Sequence, residues 1–150
     1  MNISLNPHDY IGKRQDGDWE VALETRLRAL PEEQRADFLS QMLTLQERAG
    51  KSTHPWFTLA SSLLTTAPAY ERLLRTGIAV ANASSVKKWL ECSVQRIGMR
   101  RVLHVLQEED ARNPQRVDLT TYWLPRLARS AKDRAAVDSF LATRAKTPNP

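Results

Sequence analysis

Apolar residues recur every three or four positions along most of the chain, which is the spacing of an amphipathic helix. The first such stripe comprises Trp19, Ala22, Leu23, Leu27 and Leu30. No stretch alternates convincingly with a period of two, so the pattern predicts essentially no β-sheet. We therefore expect an all-α fold of about eight short helices.

Prolines and glycines mark where these helices begin and end. Pro31 and Pro55 each suit the start of a helix, where the missing backbone N–H is not needed. Gly50 is a natural stop. The connections are short, so sequential helices should form antiparallel hairpins. Two architectures fit this pattern: an orthogonal bundle, or a short HEAT-like stack of helical hairpins.

The length of 150 residues fits one domain. Residues 1–17 lack periodicity and carry Asn, Pro, Asp and Gly, which predicts an irregular N-terminal arm. The periodic region predicts a single all-α domain over 18–146. Residues 147–150 are predicted to be a frayed tail.

The segment from Pro55 to Ala67 contains no charged residue. A helix that is apolar or small on every side is usually buried. We therefore predict that this helix is the most buried of the fold, with Trp56, Leu59, Leu63 and Leu64 in the core. Its serines and threonines are expected to bond to carbonyls of the preceding turn.

Gly98 separates two apolar stripes that are out of phase. Val86, Trp89, Leu90, Val94 and Ile97 form the stripe before it, and Met99, Val102, Leu103 and Leu106 form the stripe after it. On one straight helix these stripes would point in opposite directions. The phase inversion predicts that one helix ends and another begins at Gly98.

The last third of the chain predicts two further helices. Asp118 is expected to cap the seventh helix, which Pro125 interrupts. Ser130, with Asp133 three residues later, resembles a capping box and predicts the start of the eighth helix. Tyr122, Trp123 and Phe140 occur at helical spacing and are assigned to the core.

Positive charge is concentrated in the second half of the chain. Residues 1–75 hold 9 Lys and Arg against 10 Asp and Glu, and residues 76–150 hold 13 against 7. The first half therefore carries −1 and the second +6. Such an asymmetry would attract acidic proteins, nucleic acid or an anionic membrane.

The single Cys92 excludes an intramolecular disulfide and a multi-cysteine metal site. It fits a reducing compartment. The N-terminal residues lack an apolar stretch of signal-peptide length, and no apolar run approaches the roughly 20 residues that cross a bilayer. We therefore expect a cytoplasmic protein without a transmembrane segment.

No catalytic, cofactor-binding or metal-binding motif is found. His8, His54 and His104 each stand alone, without Cys, His or carboxylate at ligand spacing. Cys92 lies one turn from Lys88 and Arg96, and these cations could favour its thiolate. A small enzyme built around Cys92, His54 or His104 is therefore an alternative, but the sequence locates no base or oxyanion site for it.

The helix after Gly98 carries its charges at the unfavourable ends. Arg100 and Arg101 stand at its start and Glu108, Glu109 and Asp110 near its end, against the helix dipole. Such departures are expected at partner-facing sites. A helix-turn-helix is the other interpretation of this region, but His104 and Gln107 stand where that motif needs apolar residues.

These observations favour a non-catalytic helical module that binds a protein or peptide partner. We expect an acidic partner to contact a basic surface in the second half, formed by Lys87, Lys88, Arg96, Arg100 and Arg101. Arginine captures carboxylates with two hydrogen bonds and needs no duplex-reading geometry. Nucleic-acid binding by the same surface is the alternative, and assembly with further copies of the chain is open.

Overall fold

The computed structural model describes residues 3–13 and 17–146, and over these residues it contains helices and no strand. The all-α prediction is confirmed. The chain divides into two compact units, residues 1–76 and 77–150. Because residue 76 is uncharged, the first unit carries the net charge of −1 and the second the net charge of +6. The charge asymmetry of the sequence is therefore an asymmetry between units.

The first unit is built on four helices. They are α1 (Trp19–Arg28), α2 (Glu32–Arg48), α3 (His54–Leu63) and the greater part of α4 (Ala67–Val80). Helix α2 packs against α3, against α1 and against a single 3₁₀ turn at Pro7–Tyr10. The fully buried side chains of this core include Leu23, Leu27, Leu39, Met42, Leu43 and Leu73.

The described part of the predicted N-terminal arm packs onto this core. Tyr10 is buried, its hydroxyl donates to the carbonyl of Ser4 at 2.5 Å, and its ring lies 6.2 Å from Phe38 and 6.1 Å from Trp56. The 3₁₀ turn begins after Asn6, whose side chain accepts from the N–H of the second turn residue. Residues 1–2 and 14–16, and the predicted tail at 147–150, lie outside the described residues.

The four core residues predicted for the uncharged segment are largely confirmed, since Trp56, Leu63 and Leu64 are buried and Leu59 is half-buried, but one face of α3 is not in the core. Trp56 and Leu63 are buried, but His54, Thr58 and Ser62 are exposed and form a face open to solvent. The hydroxyl of Thr58 donates to the carbonyl of His54 at 3.1 Å. Hydroxyls satisfied within their own helix, with one side free for water, let an uncharged face meet solvent. The uncharged composition therefore predicted the core residues of this segment but not its exposed face.

Arg35 fixes the two helix ends that adjoin it. Its Nε donates to the carbonyl of Leu30 at 2.8 Å, beyond the end of α1, and its Nη1 donates to the carbonyl of Leu63 at 2.9 Å, at the end of α3. The last carbonyls of a helix have no partner within the helix, so a guanidinium with several donors satisfies them well. This arginine serves the fold, and few of its N–H donors are left for a partner.

Glu32 accepts hydrogen bonds from backbone N–H groups at the turn between α3 and α4. Its carboxylate accepts from the backbone N–H of Thr66 at 2.9 Å and from that of Thr65. The Thr65 N–H is the largest cause that holds the pKa of Glu32 below its usual 4.5. A carboxylate whose pKa is depressed by folding contributes stability above its unfolded pKa, and this contribution is lost as the pH falls through the folded value.

We expect Glu32→Gln to destabilise the protein at neutral pH by about 1 kcal/mol or less, since the group is partly exposed. The difference from wild type should shrink as the pH falls below about 4.5, where the carboxyl of the unfolded wild-type chain takes up a proton, and should be gone below the lower pKa of the folded state. Thermal unfolding of both proteins at neutral and acid pH measures this. Glu33→Gln, at an exposed neighbour, is the control. A difference that stays constant across this pH range would contradict the assignment.

The second unit contains five helices among its described residues. They are α5 (Val86–Ile97), α6 (Met99–Arg112), α7 (Pro114–Thr121), α8 (Leu124–Leu127) and α9 (Ala131–Lys146). Helix α6 packs against α5, α7 and α9 and so forms the shared centre of the unit. Its buried side chains include Met99, Val102, Val105 and Leu106.

The predicted break at Gly98 is confirmed. Helix α5 ends at Ile97, α6 begins at Met99, and Gly98 between them has φ +84°. This left-handed region suits glycine because a Cβ would be strained there. The two apolar stripes can thus each face the core.

Helix α7 corrects one predicted boundary, and α9 confirms another. Asp118 does not cap a helix, because α7 begins four residues earlier at Pro114, and Asp118 lies inside it. Proline is favoured at a first helical position, and this signal outweighed the aspartate. At α9 the Ser130 hydroxyl accepts from the N–H of Asp133 at 3.0 Å, as the capping pattern predicted.

Candidate partner-binding surface

The five basic residues predicted to bind a partner are all exposed. Lys87, Lys88 and Arg96 lie on α5, and Arg100 and Arg101 lie at the start of α6. Lys87 and Arg96 are nine positions apart, which at about 100° per residue puts them on opposite sides of α5. The five side chains therefore do not form one flat patch around α5.

Lys87 reaches towards the junction of α7 and α8. Its Nζ lies 5.3 Å from the centre of the Trp123 ring, within the range of a cation–π interaction. The Trp123 indole N–H in turn donates to the carbonyl of Ala83 at 3.3 Å, which ties the junction to the loop before α5. Trp123 is thus in contact both with Lys87 on α5 and with the loop before α5.

Tyr122 continues this arrangement on the surface. Its side chain is 57% exposed, and its ring meets that of Trp123 edge to face at 4.7 Å and 89°. The guanidinium of Arg126 lies 3.6 Å from the centre of the Tyr122 ring, and its Nη1 donates to the carbonyl of Tyr122 at 2.6 Å. We call the set Lys87, Trp123, Tyr122 and Arg126 the cation–aromatic stack.

The stack corrects the assignment of Tyr122 to the core. That assignment assumed that the helix continued through residue 122, whereas α7 ends at Thr121 and Pro125 lies in the separate turn α8. Tyr122 is the C-cap of α7 and still has helical backbone angles, φ −65° and ψ −38°, yet its side chain is exposed. The proline was the available signal, since a proline within a helical pattern ends or kinks the helix.

The cations of the stack retain donors for a ligand. Arg126 has no carboxylate partner among the described residues, and only its Nη1 bonds to a carbonyl. Lys87 contacts an aromatic face and no described acceptor. Guanidinium and ammonium groups carry five and three N–H donors. The stack can therefore offer charged donors that its own packing already holds in place.

Arg100 lines a separate cleft between α6 and α9. The cleft has a volume of about 410 Å³ and includes Leu103, His104, Gln107 and Phe140 in its walls. His104 is exposed, and its Nε2 lies 2.7 Å from Glu108 Oε1, one turn along the same helix. The structure thus brings Arg100 next to His104 and away from the stack.

The acidic end of α6 is explained by a cation distant in sequence. Arg144 on α9 donates from Nε and Nη2 to the two carboxylate oxygens of Asp110 at 3.1 and 3.0 Å. Its Nη2 also lies 2.7 Å from Asp118 Oδ1. Hydrogen bonding to Asp110, the largest cause, raises the pKa of Arg144. The misplaced carboxylate therefore serves to hold α9.

Arg116 is a second arginine of this unit that the fold uses. Its Nε donates to the carbonyl of Ile78 at 2.7 Å, and its Nη2 donates to that of Ala81 at 2.5 Å. These carbonyls belong to the end of α4, where a cation is favourable. Because Arg116 and Arg144 have internal partners, the basic surface open to a partner is smaller than the net charge suggests.

The candidate catalytic residues are not assembled into a site. Cys92 is a half-buried thiol on α5 that forms no disulfide, His104 lies beside Glu108 on α6, and His54 is exposed on α3 in the other unit. Among residues 3–13 and 17–146, no three His, Cys, Asp or Glu side chains are grouped to hold a metal ion. In the same residues, no helix combines the length and the apolar character needed to cross a membrane.

Comparison with known proteins adds no relative. No family model, no curated protein and no solved structure matches this chain.

Proposed function

We propose that this protein is a non-catalytic interaction module that binds an acidic protein or peptide through the basic surface of its second unit. The observation that supports this best is the cation–aromatic stack. Tryptophan, tyrosine and arginine are the residues that most often dominate the energy of protein interfaces. Here they lie in contact on the surface of the unit that carries the excess of positive charge.

The stack is suited to carboxylates because it is ordered before a partner arrives. The Arg126 guanidinium rests on the Tyr122 ring and bonds to the backbone, so little side-chain entropy remains to be lost on binding. Its planar donors match a carboxylate, and Lys87 adds a second charge across the aromatic pair. A short acidic segment that contacts both cations would lie over Tyr122 and Trp123.

The geometry favours a protein over a nucleic acid. A nucleobase binds a surface tyrosine by stacking on the ring face. One face of Tyr122 is already covered by Arg126 at 3.6 Å, and Trp123 packs against the ring at a right angle. A carboxylate needs only the guanidinium edge. We include a cytoplasmic location in the proposal, because a single cysteine without a disulfide fits a reducing compartment.

Fluorescence anisotropy with labelled ligands tests this proposal. The ligands are a peptide that alternates glutamate and glycine, the same peptide with glutamine, a DNA duplex and a single-stranded RNA. We expect the glutamate peptide to bind best, and its affinity to fall as salt is raised. The double substitution Tyr122→Ser with Arg126→Gln should lower the affinity for the glutamate peptide roughly tenfold. Arg134→Gln, at an exposed arginine of α9, is the matched control.

Two outcomes would contradict the proposal. Equal binding of the glutamine peptide would show that charge is not recognised. Tighter binding of the duplex or the RNA, lost in the same stack variant, would assign the surface to nucleic acid.

The charge reversal Arg100→Glu with Arg101→Glu should slow association of an acidic partner and leave the fold intact. Both side chains are exposed, and charges at the rim of an interface act mainly on the association rate. We expect a decrease of about three- to tenfold at low salt. Circular dichroism should show unchanged helicity, since carboxylates are favourable at a helix start. Stopped-flow association with the glutamate peptide measures the rate; an unchanged rate would remove these arginines from the surface.

A further inference from the structure

A groove in the first unit runs along α1 and α3. It has a volume of about 470 Å³, and Trp19, Leu23, Trp56 and Leu59 give it apolar walls. Its polar lining includes two glutamates of α1, Glu20 and Glu24, and the uncharged face of α3. A pocket of this size with apolar walls and a few polar groups is typical of a ligand site.

The two glutamates of the groove differ in their surroundings. Glu24 Oε1 accepts from Arg28 Nη2 at 2.6 Å and from the Ser62 hydroxyl at 2.9 Å, and the Arg28 hydrogen bond is the largest cause that lowers the pKa of Glu24. Glu20, one turn earlier, has its Oε1 shielded from solvent with no hydrogen-bond partner among the described residues. A shielded carboxylate oxygen without a donor is rare in proteins and needs an explanation.

The aromatic wall beside Glu20 is already a surface for cations. The ring centres of Trp19 and Trp56 lie 6.2 Å apart, and the angle between the ring planes is 34°. The Lys13 ammonium stands 5.1 Å from the centre of the Trp19 ring and 5.4 Å from that of Tyr10. The electron-rich faces of such rings attract positive charge.

We infer that this groove binds an arginine side chain presented by an extended segment of a partner protein. The aliphatic stem would pack on the half-buried Leu59, and the guanidinium would lie against the exposed part of Trp19 while it donates to the Glu20 carboxylate. Arginine stacks on aromatic rings and pairs with carboxylates in a way that lysine does not. The groove is open along α1 and α3, so the peptide backbone of the partner can remain outside. This site is independent of the basic surface in the second unit.

Titration followed by NMR of the indole N–H groups tests the inference. The chain has four tryptophans, with Trp19 and Trp56 at the groove and Trp89 and Trp123 in the second unit. The probe is an acetylated and amidated Gly-Arg-Gly peptide, which carries no carboxylate. We expect saturable shifts of the Trp19 and Trp56 signals, and unmoved Trp89 and Trp123 signals. The same peptide with citrulline, a neutral isostere of arginine, should cause no shift.

Glu20→Gln should weaken binding of the arginine peptide roughly tenfold, as expected for loss of a charged hydrogen bond. Glu33→Gln, at an exposed carboxylate of α2, should not change it. The folded stability of Glu20→Gln should be no lower than that of wild type, since Glu20 Oε1 has no internal partner to lose.

Each opposite result would overturn the inference. These are equal shifts with the citrulline peptide, no shift with the arginine peptide up to its solubility limit, or retention of binding in Glu20→Gln. The citrulline comparison uses the unmodified protein, so it decides the matter even if the variant unfolds.

Discussion

Gly77→Ala should destabilise the protein by roughly 2–3 kcal/mol. Alanine in place of a mid-helix glycine ordinarily adds up to about 1 kcal/mol of stability. Here an added Cβ would come no more than 2.6 Å from three ring atoms of Trp89, which is itself fully buried. Neither the helix backbone nor the indole can move aside cheaply, because close-packed interiors transmit such strain. The steric effect therefore reverses the sign of the propensity effect.

Urea unfolding of Gly77→Ala and wild type measures this difference. Trp89→Leu by itself should also destabilise the protein. The variant with both substitutions should be more stable than the sum of the two separate effects predicts, by more than about 0.5 kcal/mol. Ala79→Gly, at an exposed position of the same helix, is the control and should cost about 1 kcal/mol. A Gly77→Ala protein as stable as wild type would contradict the close approach of α4 and Trp89.

Arg144→Met should detach the C-terminal half of α9. The substitution keeps an apolar stem but removes the paired hydrogen bonds to Asp110, whose side chain is only 26% exposed. Loss of a partly buried charged pair of this kind costs about 2 kcal/mol. Helix α9 has little else to hold it, since Val137 is its only fully buried side chain. The contact to Asp118 adds little, because that carboxylate is mostly exposed.

Hydrogen exchange of the backbone amides measures the detachment. In Arg144→Met the amides of α9 should exchange roughly thirtyfold faster, and those of α5 and α6 should change little. The exchange rate of α9 in Arg144→Lys should lie between those of wild type and Arg144→Met, because an ammonium keeps the charge but cannot form the paired hydrogen bonds of a guanidinium. Lys146→Gln, at an exposed neighbour, is the control. Unchanged exchange in α9 would show that Arg144 does not hold it.

Local signals in the sequence predicted the helices well. The phase of the apolar stripes and the glycine between them located the break at Gly98. Ser130 located the start of α9. These features depend on residues within one or two turns of each other. A single sequence contains that information, because helical spacing and caps are local properties.

The parts that the sequence did not predict depend on residues far apart in the chain. Arg144 and Asp110 are separated by 34 positions, and Arg116 and Ile78 by 38. No spacing rule assigns such partners, so the sequence did not show that these arginines have internal ones. Tyr122 was misassigned because helical spacing alone did not show that the end of α7 is exposed. The exposed face of α3 was missed because hydroxyl groups stand there in place of charges.

The sequence predicted that the candidate surface is positively charged, but it did not predict the aromatic residues that lie in it. The +6 charge pointed to the second half of the chain, and Lys87 was correctly included among its exposed cations. The aromatic members were missed, because the exposure of Tyr122 and the position of Arg126 over its ring follow from the turn between α7 and α8. Whether Lys87, Lys88, Arg96, Arg100 and Arg101 contribute to binding stays a prediction.

The most direct test of the proposed interaction surface is an NMR titration of the full chain with the glutamate–glycine peptide. We expect the indole signal of Trp123 to shift saturably and the signal of the buried Trp89 to stay in place. The Trp123 shift should vanish in Tyr122→Ser with Arg126→Gln. A Trp123 signal that does not move while the peptide binds, or that moves equally in the variant, would contradict the account.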